Sequence, residues 1–274
     1  LSTPAAPRRL PAWWGVLWPG MAALVAVMGV SRFVYTPILP EMLVSGVLTL
    51  REAGWVAAAN FLGYLAGAMA ASAIHGRRHQ AWLARAGLGV SVASLAAMAL
   101  LDGTATWMAV RFAAGVASAF ALVFVSTQVL ERLTALGEGD RTIWLYSGVG
   151  IGIAGSALTT LGVQAAGFGW QVSWAAAAAL AAVCAAAAWC GAGASVPGRP
   201  ESAASGASDT GAASVASRAS GEPVAPAAAA AAAAPMAFAA TVAAYGLFGL
   251  GYVIHATYLP AMVRAAGYSA DAAI

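Results

Sequence analysis

The chain is predicted to be an all-α polytopic membrane protein, and three observations in its 274 residues predict it. Hydrophobic residues make up 61% and charged residues 8%, against roughly 45–50% and 25% in soluble globular chains, too few polar groups to cover a water-facing surface. Seven apolar runs are each long enough, at roughly 20 residues, to cross a bilayer core of about 30 Å. The arginines between those runs alternate between many and few, as positive-inside topology requires. The thirteen basic residues are all arginine, and a net charge of +3 makes nucleic acid a poor partner.

The runs fall at approximately 16–39, 53–74, 83–101, 104–130, 142–166, 171–190 and 236–259. Leu101-Asp102-Gly103 alone separates the third from the fourth, and Gly167-Phe168-Gly169-Trp170 the fifth from the sixth. Connections this short make tight antiparallel hairpins. The first run is too long for a signal-peptide core of roughly 7–15 residues, and no small-residue cleavage site follows it. With the N-terminus cytoplasmic, the inner loops hold Arg8, Arg9, Arg77, Arg78, Arg85, Arg132, Arg141, Arg199 and Arg218, and the outer loops hold Arg51 and Arg264. That asymmetry orients the chain, in the inner (plasma) membrane. Tryptophans 13, 14, 18, 55, 82, 107, 144 and 170 gather near run ends, where interfacial aromatics are expected. Cys184 and Cys190 lie six apart on one helix, a rise of about 9 Å, too far for a mutual disulfide.

Three domains are expected: a six-helix bundle over 1–190, a linker over 191–235 and the start of a second bundle over 236–274. The linker is dominated by Ser, Ala, Gly and Pro and closes in the tract Ala227–Ala234, a composition that stays flexible. The seventh run repeats the first. A shift of 220 residues lays Gly29 on Gly249, Leu39 on Leu259, Pro40 on Pro260 and Met42 on Met262. Parallel repeats of six-helix units are one architecture of secondary transporters.

Ser31-Arg32-Phe33-Val34-Tyr35-Thr36-Pro37-Ile38-Leu39-Pro40, then Gly54-Trp55 and Asn60-Phe61-Leu62-Gly63-Tyr64-Leu65-Ala66-Gly67, resemble the uncharacterised YbfB/YjiJ-type branch of the major facilitator superfamily. Tyr245–Tyr252 with Thr257, Leu259 and Pro260 add to the likeness. The resemblance implies a twelve-helix fold, of which the chain is read as a fragment holding seven helices. Arg111-Phe112-Ala113-Ala114-Gly115 looks like the superfamily's Arg-x-x-x-Gly motif, whose arginine the resemblance ties to proton coupling and to fixing the first helix. Gly148, Gly152 and Gly155, spaced four and three, line one face of the fifth helix, where small residues let backbones approach closely; they resemble the superfamily's glycine-rich antiporter motif, without the closing Gly-Pro pair. His75-Gly76-Arg77-Arg78-His79 keeps the basic end of its gating-loop motif without the Asp.

Two charges stand inside apolar runs. Arginine near the membrane centre costs on the order of 2.5–3.5 kcal/mol on insertion scales and usually faces the bundle interior or a watery cavity. Arg32 is seven residues from Leu39 and Arg111 seven from Thr104, so both sit roughly 10 Å below the outer surface at 1.5 Å per residue. They are expected to share a layer, and snorkelling outward is the plainer alternative for each. All ten acids fall in loops, ends or linker, and Glu41 is half a turn out of phase with Arg32. The neutralising groups could be carbonyls freed by Pro37, the hydroxyls of Tyr35 and Thr36, helices beyond the chain, or an anionic substrate. Asn60 either hydrogen-bonds a neighbouring helix or lines the substrate path. Gly63 and Gly67 share a face of the second helix and suit close packing, as does Gly115. In the second repeat Tyr252 replaces Arg32 and His255 replaces Tyr35; histidine has an unperturbed pKa near 6.5, and His255 is read either as a titrating group or as a satisfied, non-titrating one near the interface.

These residues favour a secondary transporter of a small organic solute, anionic or amphipathic, working by alternating access as a monomer in the lipid bilayer with protons as the coupling ion. Arg32, Tyr35, Thr36, Asn60, Arg111, Tyr252 and His255 are its candidate site residues. A non-transporting receptor or scaffold with structural arginines is the alternative. A membrane-embedded enzyme needs a cluster of His, Asp, Glu or Cys within the membrane, and one histidine with two distant cysteines is not one; no cofactor and no metal site is expected.

Overall fold

The computed structural model describes residues 11–193, and the linker, the seventh run, Tyr252 and His255 lie outside them. Among the described residues six helical spans are long and apolar enough to cross a membrane. The first, Ala12–Val44, is broken: an α-helix Ala12–Leu24 passes into a π-helical turn Val25–Val30, then short α-helical pieces Ser31–Phe33 and Tyr35–Val44. Leu50–Ser72, Arg77–Leu100 and Thr104–Ala135 are continuous second, third and fourth helices. The fifth span opens as a 3-10 helix, Gly139–Tyr146, and continues as the α-helix Ser147–Ala165. The sixth is Trp170–Gly193.

Most boundaries lie a few residues outside the apolar runs. The third helix starts at Arg77 rather than at 83, and the fourth ends at Ala135 rather than at 130, because the charged first turn of one and the charged end of the other keep their backbone bonds beyond the apolar stretch. The first span continues through Pro37 and Pro40 to Val44. Proline is tolerated there because neighbouring helices can supply the bonds it removes.

Local chemistry sets the ends. Thr49 caps the second helix in a reciprocal box: its hydroxyl accepts from the Glu52 amide at 3.3 Å, and Glu52 Oε2 accepts from the Thr49 amide at 2.8 Å. Glu52 Oε1 also accepts from the Thr104 hydroxyl at 3.0 Å, joining the starts of the second and fourth helices. The fifth helix closes on Gly167, whose φ of +80° lets the Phe168 amide reach the Val163 carbonyl at 3.2 Å and its own amide the Gln164 carbonyl at 2.9 Å.

Small residues hold the bundle together. The second and fourth helices make the most extensive pairing, and glycines from both sides sit in it. A Cβ on Gly63 would strike the Phe112 carbonyl, and one on Gly67 would lie 2.8 Å from the Val116 carbonyl. Conversely, a Cβ on Gly115 would strike the Asn60 carbonyl. The first and fifth helices meet through Gly29 against Gly152 and Met21 against Gly148, where a Cβ on Gly148 would lie 2.6 Å from the Met21 carbonyl. Gly155 departs from this seam: its nearest neighbour is the Leu180 side chain of the sixth helix, at 3.8 Å. The three glycines therefore do not all pack on the first helix. At 100° per residue their azimuths stay within about 60° of one another, so what separates Gly155 is its place further along the axis, where its nearest neighbour comes from the sixth helix.

The tryptophans also divide. Trp55, Trp82 and Trp144 are exposed, but Trp107 and Trp170 are buried and meet edge to face at 5.7 Å. The Trp107 indole N–H donates to the Leu101 carbonyl at 2.7 Å, which pins the hairpin between the third and fourth helices from inside. Leu62, Leu65, Met69, Ile151, Leu158 and Val183 are exposed, a surface that lipid tails solvate as well as a protein core does.

Candidate functional site

The two arginines stand at one level of the bundle and do different things. Arg111 comes from the fourth helix, seven residues after its start, and is 2% exposed. It donates from Nη1 to the Ser31 carbonyl at 2.8 Å and from Nη2 to the Arg32 carbonyl at 3.1 Å. A planar guanidinium suits two successive carbonyls in a way a single ammonium does not. These carbonyls lie where the first span passes from π-helical to α-helical backbone, just before Pro37, which lacks the N–H that an unbroken helix would offer the Phe33 carbonyl. Breaks in the hydrogen-bond ladder of the first span and a buried donor on the fourth helix thus meet at one point.

Aromatic rings complete the surroundings of Arg111. Its guanidinium lies 5.4 Å from the Tyr35 ring and 5.9 Å from the Trp174 ring, and those two rings are 6.2 Å apart. The Tyr35 hydroxyl donates to the Ala53 carbonyl at 3.0 Å, so the ring is fixed between the first, second and sixth helices. Asn60 is buried and donates through Nδ2 to the carbonyl of Arg111 itself at 2.9 Å. That bond joins the second helix to the fourth.

Arg32 is half-buried and turns toward the second helix. Its guanidinium lies 4.0 Å from the Tyr64 ring centre and 4.9 Å from that of Phe61. Cation–π contacts of this kind contribute roughly 0.5–2 kcal/mol each, more where water is excluded. Thr36 is half-buried one residue beyond Tyr35. Glu41 accepts from Gln164 Nε2 at 3.4 Å, between the first and fifth helices.

The structure thus brings Arg32, Tyr35, Asn60 and Arg111 together where the first, second and fourth helices meet. Phe61, Tyr64 and Trp174 join them, and the sequence reading did not single these out. Tyr64 is one turn after Asn60, so the polar residue already marked its face. Trp174 is the one large side chain in Trp174–Ala179, and an aromatic isolated among alanines is a signal of a filled pocket.

At the opposite end of the bundle the basic loop forms a surface pair. Arg77 Nη2 meets Glu131 Oε2 at 2.6 Å, joining the start of the third helix to the last turn of the fourth. Arg141 pairs with Glu138 and stands 4.3 Å from the Trp13 ring centre.

A family model described as an uncharacterised MFS-type transporter YbfB matches residues 24–274. The chain belongs to this family. It is therefore an MFS-type, multi-pass membrane transporter protein and not an enzyme, and the all-helical bundle agrees with that membership. No curated protein and no solved structure matches it. In this MFS-type chain the buried guanidinium of Arg111 ties the fourth helix to the backbone of the first at Ser31 and Arg32.

Proposed function

We propose that the protein is a secondary active transporter of a small organic anion, driven by protons and working by alternating access as a monomer in the inner membrane, N-terminus inside. In this reading Arg32 offers its charge to the substrate, and Arg111 is a positioning residue that holds the first helix at the level of the site. The observation that carries it is the division of labour between the two guanidiniums. Arg111 is buried and spends its donors on two carbonyls of the first helix, whereas Arg32 is half-buried and lies over two rings. Stacking holds a guanidinium by its face, a geometry from which its edge can fork onto a carboxylate or phosphate. Tyr35, Thr36, Asn60 and, in the second repeat, Tyr252 and His255 are the other residues assigned to the site, His255 being the group whose ordinary pKa suits proton coupling.

The placement of Arg111 is also what a non-transporting receptor or scaffold with structural arginines would show, so Arg32 is the residue that separates the two readings. The test reconstitutes the complete gene product in liposomes and follows uptake of a panel of small organic anions with and without a pH gradient. Arg32→Gln is expected to reduce flux at least about tenfold, the order of one lost charge-assisted hydrogen bond, while the protein still inserts and folds. Arg32→Lys should retain part of it. Full flux in Arg32→Gln overturns the substrate role, and absence of flux for every anion in the wild type favours the receptor.

A further inference from the structure

The bundle holds a second polar cluster, at the end away from Arg32 and Arg111. A cavity of about 110 Å³ opens between the first, third, fourth and sixth helices. Its walls are mostly apolar, from residues such as Val16, Leu88 and Val129, but Arg85, Gln128 and Arg132 also line it, and among the described residues no carboxylate does. A neighbouring cavity shares Ala81, Gln128 and Arg132 and extends toward Arg77 and Glu131. Glu131, the acid in this neighbouring space, is already engaged by Arg77 at 2.6 Å.

Gln128 is the informative residue. Its Nε2 is buried and has no hydrogen-bond partner among the described residues. A buried amide donor left without an acceptor costs roughly 1–3 kcal/mol, and such groups in native structures call for a specific reason. Gln128 lines the same cavity as two arginines. Arg85 lies 5.6 Å from the Trp189 ring centre at the rim, and Arg132 sits in the last turn of the fourth helix. Two forked cations and an amide N–H on apolar walls, without a competing acid, match an anion that carries three or more acceptor oxygens and a hydrocarbon body.

We propose that this cavity binds the phosphate of an anionic membrane lipid, with Arg85, Arg132 and Gln128 as its donors and the acyl chains leaving along the apolar walls. Basic pockets between transmembrane helices are suited to such head groups. The site is independent of the substrate and of the transport reading, since it requires only that the bundle sit in a bilayer.

The complete protein in an uncharged detergent is titrated with phosphatidylglycerol, with phosphatidylcholine and with inorganic phosphate, and thermal unfolding is followed. Phosphatidylglycerol is expected to raise the unfolding temperature, and the other two to leave it in place. The Arg85→Gln/Arg132→Gln double variant should weaken the apparent affinity roughly 30-fold, about fivefold for each basic side chain. Gln128→Leu should weaken it about tenfold. Arg78→Gln removes an exposed charge from the same end but lines neither cavity, and should bind as the wild type does. No shift in the wild type overturns the proposal, because water then satisfies Gln128. An equal loss in Arg78→Gln overturns it in favour of diffuse surface charge, and saturation by inorganic phosphate overturns the lipid as the source.

Discussion

Replacing Gly152 by alanine tests the seam on which the first helix depends. A Cβ there would lie 2.6 Å from Gly29 Cα and 2.7 Å from the Val25 carbonyl oxygen. Both obstacles are backbone, so no rotamer change relieves them; the two helices must part by about 0.8 Å to reach ordinary contact distance. Overpacking of this kind costs about 1–3 kcal/mol, and a clash with backbone belongs in the upper part of that range, about 2–3 kcal/mol. For a domain of this size each kcal/mol moves the midpoint by roughly 2–4 °C, so the apparent unfolding temperature should fall by about 4–12 °C. The assay is a thermal ramp of the detergent-solubilised protein, read by tryptophan fluorescence at one fixed scan rate, since unfolding of such proteins is commonly irreversible. Gly150→Ala is the matched control: nothing lies within 4 Å of its added Cβ, and alanine's higher helix propensity should raise stability by up to about 1 kcal/mol. The two substitutions are two residues apart and have opposite signs. A Gly152→Ala midpoint within about 2 °C of the wild type, or an equal fall in Gly150→Ala, would refute the argument.

Two further outcomes follow from side chains already described. Asn60→Leu removes the bond to the Arg111 carbonyl while keeping similar bulk; interhelical bonds in membrane proteins average about 0.6 kcal/mol, so the midpoint should drop by only a few degrees, about 1–3 °C, and a collapse of the fold would contradict this. Cys190 is exposed and Cys184 half-buried within the apolar core that also contains Trp174, so a maleimide should label Cys190 and spare Cys184 in the folded protein, as mass spectrometry of the digested chain would show.

Hydropathy located the first six spans, because it measures what a bilayer measures: the length of chain that lipid can solvate. It was blind to the places where backbone bonding and apolar character part company. Arg77–Gln80 and Glu131–Arg132 are helical although polar, and Gly139–Tyr146 is wound more tightly than the helix it leads into. No periodicity marks the wide turn at Val25–Val30, since its residues are as apolar as their neighbours and the difference lies in which carbonyl each amide finds. The site shows the same limit. Counting residues from the helix ends put Arg32 and Arg111 at equal depth, and the hydrogen bond from Arg111 to the Arg32 carbonyl agrees with that. Depth carries no azimuth, however, and which guanidinium meets backbone and which meets rings depends on how the helices rotate against one another. The glycine spacing of the fifth helix has the same limit: Gly148, Gly152 and Gly155 share a face at 100° per residue, but spacing does not say which helix lies against that face at each level, and Gly155 meets the sixth.

The wide turn in the first span has a consequence for how the bundle is divided. Leu17, Leu24 and Val27 belong to one core, with Leu133 and Leu145, whereas Val30, Val34, Ile38 and Met42 belong to another, with Trp107 and Trp174. The handover occurs inside Val25–Val30, where an i→i+5 turn carries about one residue more than an α-turn. That surplus residue sets the phase between the two halves of the span, much as an offset key aligns two parts of a shaft. Removing one residue there would leave every downstream side chain chemically intact and rotate each by about 100°, so Arg32 would be lost from its rings without being mutated.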